Sequence, residues 1–163
     1  MIILVADTSV LIDLERGNLL QIALAGPDTL ATPDLLYDKE LAPYNGPQLQ
    51  ANGLQILELS GQELAEVQAL HQSSPKLSIP DCAAYVSARR AGHHLLAGDG
   101  LLRQHAHQTA VPCNGLLWLL DRLLASNTVS GAVLHAGLAA ISNHVRCRLP
   151  PEEVLARLAA WAR

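Results

Sequence analysis

Ile2-Ile3-Leu4-Val5-Ala6-Asp7-Thr8-Ser9 decides the fold. Ile2 to Ala6 is a short apolar run, rich in β-branched residues, that does not alternate with polar ones. It predicts a strand buried on both faces, as in a parallel sheet. Asp7 follows the strand directly. Thr8 or Ser9 can cap a helix that Gly17 ends.

The same strand-then-helix unit recurs along the chain. Residues 18–25 are a second helical run, stopped by Gly26-Pro27. Asp28 to Thr32 is a weak strand. Pro33 opens a helix carrying Leu35, Leu36, Asp38, Glu40 and Leu41, and Pro43 stops it. Leu54 to Leu59 is a strand, and Ser60 to Glu63 is a capping box that starts a helix to about Gln72. Ser78-Ile79-Pro80-Asp81 starts the next helix, which runs to about Ala91 with Gly92 past its end. His93 to Ala97 is a strand, Gly98-Asp99-Gly100 a tight turn and Leu101 to His107 a helix. Ala110 to Cys113 is the last strand, and residues 115–125, 130–143 and 151–162 are helices. Such alternation predicts an α/β fold: a parallel β-sheet flanked by helices, with a C-terminal helical extension. A single domain over residues 1–163 is expected, with an α/β core at 1–125 and the extension at 126–163.

Composition sets bounds. A chain of 163 residues and 17.4 kDa is one domain's worth. It exposes roughly 7,900 Å² folded against roughly 25,000 Å² unfolded, enough burial to need no disulfide or zinc staple. Half the residues are hydrophobic, which excludes a disordered chain. Aromatics are only 3% and Phe is absent, so the core is aliphatic and aromatic base-stacking platforms are disfavoured. A net charge of −4 gives no whole-domain basic footprint. Cys82, Cys113 and Cys147 form no CxxC and are expected as buried, reduced thiols. No basic n-region precedes the first strand, and no apolar stretch reaches membrane-spanning length. A cytoplasmic protein without a membrane anchor is expected.

The acids carry the chemistry. In open α/β sheets, ligands bind outside the carboxyl ends of the strands. Asp7 ends the first strand, and Asp99 stands just past the strand that begins at His93. Asp81 lies in the first turn of the helix feeding that strand, and Glu40 in the helix after the second strand. Each has a plain alternative as a cap or turn residue. Together they point to a shared site. Two carboxylates about 5 Å apart repel by roughly 3 kcal/mol at an effective dielectric of about 20. A cluster of them therefore takes up protons or a divalent cation. An all-oxygen donor set favours Mg²⁺ or Mn²⁺ over zinc. Such ions suit phosphodiester hydrolysis, because they polarise the phosphoryl oxygen and lower the pKa of a bound water.

Four blocks in order, Asp7-Thr8-Ser9-Val10-Leu11-Ile12-Asp13-Leu14, Glu40 in its helix, Ser78-Ile79-Pro80-Asp81 through Gly92, and Leu95-Leu96-Ala97-Gly98-Asp99 through Arg103, resemble the PIN domain family over roughly residues 1–120. The resemblance implies a Mg²⁺- or Mn²⁺-dependent endoribonuclease acting on RNA, with its acidic quartet at Asp7, Glu40, Asp81 and Asp99. The hydroxyl two residues past the first acid falls on Ser9. Many such proteins are VapC-like toxins paired with an antitoxin protein; the chain past about residue 125 is similar to longer PIN-like relatives. A catalytically weak or inactive PIN-fold binding or regulatory module is the alternative reading. A haloacid-dehalogenase-type phosphatase also begins with strand-Asp, but that chemistry wants an acid where Ser9 stands.

Asp34 and Asp38 compete with Glu40 for the mid-chain position. On a regular helix Asp38 lies about 200° from Glu40, so both cannot face one site. Lys39, Arg89, Arg90 and Arg103 flank the acidic blocks, and Arg103, one helical turn from Asp99, is the favoured phosphate contact. His105 and His107 are spaced i, i+2 on a helix, which does not put two ligands on one face. The helix of residues 115–125 is apolar nearly all round and must be covered, by the C-terminal helices or by another chain. Exposed parts of the Leu- and Ile-rich early helices suit a homodimer or an antitoxin groove.

Overall fold

A computed structural model describes residues 2–162. Among them, five short strands form one sheet: β1 (Ile3–Ala6), β2 (Thr29–Pro33), β3 (Gln55–Leu57), β4 (His93–Leu96) and β5 (Cys113–Asn114). The order is β3-β2-β1-β4-β5, and every pairing is parallel. The helices around it are α1 (Thr8–Arg16), α2 (Leu20–Leu24), α3 (Asp34–Leu36, continued by a π turn over Tyr37–Leu41), α4 (Gly46–Ala51), α5 (Gly61–Ser73), α6 (Ile79–Ala88), α7 (Gly100–Gln108), α8 (Leu116–Ala125), α9 (Gly131–Ser142) and α10 (Pro151–Trp161). This is the α/β architecture that the alternation predicts. No helix among the described residues is long and apolar enough to cross a membrane.

The topology sets the site. From β1 the chain moves outward through β2 and β3, then returns to β4 and β5 on the other side of β1. The strand order therefore reverses between β1 and β4, and a crevice opens at their carboxyl ends. Val5 pairs with Leu95 and Ala6 with Leu96, so Asp7 and Gly98-Asp99 leave the sheet side by side.

Two local expectations are corrected, and one element is added. The last strand begins at Cys113, not Ala110. Ala110 takes a left-handed conformation (φ 59°), and Val111 donates its amide back to Ala106 instead of to the sheet. The helix after Pro33 does not stay α-helical but loosens into a π turn at Tyr37–Leu41. A short helix, α4, fills the stretch after Pro43 that carries no marked periodicity, with Pro47 in its first turn.

The core is aliphatic, as the composition requires, with Leu4, Leu14, Leu30, Leu95, Leu120 and Leu138 among its fully buried side chains. Helix α8 is covered within the chain: Leu116, Leu119, Leu120 and Leu123 are buried, and Trp118 packs partly against the core. Arg122 of α8 reaches the buried Asp28, which also accepts from the Ile2 amide at 2.9 Å. The hydrogen bonds from Arg122 hold the Asp28 carboxyl below its ordinary range.

Two glycines seat the C-terminal helices on α1. A Cβ on Gly137 of α9 would stand 2.6 Å from Leu19 Cδ1 and 2.9 Å from the Gly17 carbonyl; one on Gly17 would stand 2.8 Å from the Gly137 carbonyl. The backbones touch, so neither position accepts a side chain without displacing the other helix. Filling a helical glycine gains about 1 kcal/mol of propensity, but overpacking a rigid contact costs about 1–3 kcal/mol, and more for a branched side chain. Gly137→Val is expected to lower unfolding free energy by about 2 kcal/mol in urea titration. Gly131→Ala, where the added Cβ meets only Trp161 atoms at 3.6 Å or beyond, is the control and should not destabilise the fold.

Arg90, just past α6, clamps α5. Its guanidinium donates to both Glu63 carboxylate oxygens, at 2.9 and 2.7 Å, and to the Glu58 carbonyl at 2.7 Å. These bonds pull the Glu63 carboxyl down from 4.5 to about 2. A depressed carboxyl stabilises the fold above its unfolded pKa and loses that contribution as pH falls through the folded one. The stability gap between wild type and Glu63→Gln should therefore be full at neutral pH and close between pH 4.5 and about 2.

Candidate active site

Asp7 is the N-cap of α1, and its side chain is 2% exposed. One carboxylate oxygen, Oδ1, accepts from the Val10 amide at 3.0 Å and the Ser9 hydroxyl at 2.8 Å. The other, Oδ2, accepts from the Gly98 amide at 3.2 Å, and the Asp99 amide also supports the carboxylate. Burial nevertheless wins, and pushes the Asp7 carboxyl above its ordinary value against all four donors. The close approach requires glycine at 98: a Cβ there would stand 2.8 Å from Ser9 Oγ.

Asp99 is the N-cap of α7, where its Oδ2 accepts from the Leu102 amide at 3.4 Å. Asp81 is the third residue of α6 and closes a capping box with Ser78. Burial raises the Asp81 carboxyl, opposed by the Ser78 hydrogen bonds, and the charge of Asp99 raises it further. These two acids therefore sense each other. Glu40 is half-buried, and its Oε2 accepts from the hydroxyl of Thr8, the residue after Asp7.

The choice among the mid-chain acids is made by tertiary contacts. Asp34 accepts from the Leu35 amide at 2.8 Å and reaches the Leu59 amide at 3.4 Å, so it ties α3 to the end of β3. Asp38 is exposed. The π turn rotates this segment off the regular helical spacing, and Glu40 is the acid that meets α1. Such turns recur at functional sites, but apolar periodicity does not reveal them.

Among the described residues, no three Asp, Glu, His or Cys side chains group as ligands for one ion. Each candidate acid is turned onto a hydrogen-bond donor at a helix start or on α1. The donor set is all-oxygen, which suits a hard cation. Mg²⁺ keeps several waters and uses as few as one or two protein carboxylates. The arrangement does not fit an ion stripped of water by four side chains; a hydrated ion that keeps most of its waters needs fewer protein carboxylates.

The flanking cations divide. Arg89 lies 3.4 Å from Glu66, and Arg90 is held by Glu63 and the Glu58 carbonyl, so both serve the α5–α6 contact, not the acidic edge. Arg103 lies over Gly115, where a Cβ would meet its Nη1 at 2.7 Å, and borders a cavity with Ser9, Gly98 and Asp99. That cavity, about 320 Å³, is also lined by Arg16, Arg146 and Arg148. The last two stand in the α9–α10 connection, where the sequence shows only two arginines in an irregular stretch. Their spacing carries no helical or strand pattern that would have marked them.

The thiols are not part of this chemistry. Burial pushes both Cys82 and Cys113 up to about 11. All three cysteines are free, but only Cys82 is fully buried.

The Ser9 hydroxyl supports the charged form of Asp7, so Ser9→Ala should push the Asp7 carboxyl higher still. Carboxyl ¹³C NMR titration in chelator tests this directly, with an unchanged Asp7 titration as the contrary result. The linked stability effect has a fixed sign. A raised carboxyl favours the fold at low pH and loses that advantage as pH rises through its folded pKa. The deficit of the variant therefore opens with rising pH, above the ordinary aspartate value of 3.8.

The family model for the PIN domain matches residues 3–162. No curated protein and no solved structure matches the chain. An all-parallel sheet with strand order β3-β2-β1-β4-β5, carrying Asp7 and Asp99 at its switch point, accords with that match, and the chain belongs to the PIN-domain family.

Proposed function

We propose that this chain is a metal-dependent endoribonuclease that hydrolyses RNA phosphodiester bonds. PIN domains are nuclease-type folds that typically use divalent metals. The observation that carries the reading is the contact between Asp7 and the Gly98-Asp99 turn: a buried carboxylate, raised by burial, beside a second acid at the switch point of a parallel sheet. Burying a carboxylate there is costly, and its four donors do not fully offset the desolvation.

In this reading Asp7, Asp81 and Asp99 would hold Mg²⁺ or Mn²⁺, with Glu40 at the margin through Thr8. The bound cation would polarise the phosphoryl group and neutralise charge on the leaving oxygen. The chain's own residues do the positioning. Ser9 spends its proton on Asp7 Oδ1, so its oxygen faces the cavity as an acceptor that orients water. Arg103, with no carboxylate partner among the described residues, is free to donate to a phosphate oxygen. Water is the attacking group, and no protein nucleophile is needed.

One observation favours a second reading, a binding or regulatory module without turnover: every candidate acid already has a helix-cap or hydroxyl partner. The two readings separate in one set of measurements. Mn²⁺ at about a hundred times its Kd should add about 2.7 kcal/mol of stability. It should also support RNA cleavage that falls at least about 10–100-fold in Asp7→Asn and in Asp81→Asn, with circular dichroism unchanged. Stabilisation by Mn²⁺ without cleavage of any of several RNAs would favour the binding module, and undiminished cleavage in both variants would remove the mechanism. The toxin role belongs to the same proposal. It requires that expression arrest growth, and that a small protein encoded in the adjacent reading frame relieve the arrest.

A further inference from the structure

The chain carries a net charge of −4, yet one cavity beside the acidic edge gathers four arginines. Arg16, Arg89, Arg90, Arg122 and Arg157 each face a carboxylate. Among the described residues, Arg103, Arg146 and Arg148 do not, and all three line this cavity together with Ser9 and Asp99. Asp13 and Asp99 line the same cavity, and Asp13 is taken by Arg16. Arg103 from α7 and Arg146 and Arg148 from the α9–α10 connection therefore leave the cavity with an excess of positive charge, which favours an anionic ligand.

The connection that brings Arg146 and Arg148 there is built, not loose. Cys147 donates its amide to the His144 carbonyl at 3.0 Å, and Arg146 donates its amide to the His144 ring at 3.1 Å. Helix α9, which leads into this turn, is seated on α1 by the Gly17–Gly137 contact. Helix α1 also holds Asp7 at its other end. The acid and the two arginines are thus referred to the same rigid helix.

From this we infer that Arg146 and Arg148 of the C-terminal extension, with Arg103, form a binding site for the phosphodiester backbone of a single RNA strand, flanking the bond at the acids. The inference rests on the nuclease reading for the position of that bond. Guanidinium forks match phosphate oxygens bidentately, which makes arginine suited to this role. The apolar side of the cavity, including Ile12 and Leu149, leaves room for a ribose or base face. The extension is therefore part of the substrate cleft, and the α/β portion alone presents only Arg103 of the three.

The test is binding of a fluorescent single-stranded RNA oligonucleotide by anisotropy, in chelator, across a salt series. Wild type should bind with a salt slope that drops by roughly 0.7 for each phosphate no longer neutralised, so Arg146→Gln/Arg148→Gln should lower it by about 1.4. Affinity should fall by roughly tenfold per arginine. Both side chains are exposed, so the fold should hold. Arg146→Lys/Arg148→Lys should keep the slope and forfeit only part of the affinity. Arg89→Gln, remote from the cavity, should bind as wild type does. Binding and slope unchanged in the glutamine variant would overturn the inference, and so would an oligoglutamate of equal charge that binds as tightly as RNA with the same arginine dependence. A parallel Mn²⁺ cleavage assay separates the two claims. Cleavage by wild type with unchanged binding in the variant sinks the inference alone. Arginine-dependent binding without cleavage supports it and sinks the nuclease reading.

Discussion

The buried carboxylate of Asp7 is the interaction on which the arrangement depends. A charge at 2% exposure is costly unless it is fully hydrogen-bonded. Asp7 meets that requirement from two directions at once. Val10 and Ser9 come from its own helix, and Gly98 and Asp99 come from the turn after β4. The same four donors that satisfy the charge therefore fix α1, the β4–α7 turn and the carboxyl end of β1 in one register. Desolvation still outweighs them, so the Asp7 carboxyl sits above its ordinary value.

Helix α1 transmits that registration. Its first turn carries Asp7, Thr8 and Ser9, and Thr8 holds Glu40 from the π turn. Its far end, Gly17, lies against Gly137 of α9. A short, rigid rod thus couples the acidic edge to the C-terminal helices. Packed interiors do not deform continuously, so displacement at one end of α1 is felt at the other. This coupling gives the extension a physical connection to the cleft beyond covering the apolar face of α8.

Much of the fold was legible along the chain. Non-alternating apolar runs, the capping boxes at Ser60 and Ser78, and the Gly and Pro stops define the order of most elements. Asp7, Asp81 and Asp99 were legible for the same reason: each stands at a strand end or a helix start, which local pattern marks. Glu40 was legible only as one of three acids. What separates it from Asp34 and Asp38 is a π turn and a hydroxyl on another helix, neither of which leaves a trace in spacing.

The amino-acid sequence by itself determined the alternation of strands and helices, the aliphatic core and the acids at the element ends, because these follow from short-range periodicity and capping. Tertiary structure alone decided which mid-chain acid meets α1 at Thr8, that Arg90 serves a structural clamp, and that Arg146 and Arg148 line the cavity that Asp99 borders. Those outcomes depend on contacts between residues dozens of positions apart. Such contacts are chosen by packing and charge in three dimensions, and no local pattern encodes them.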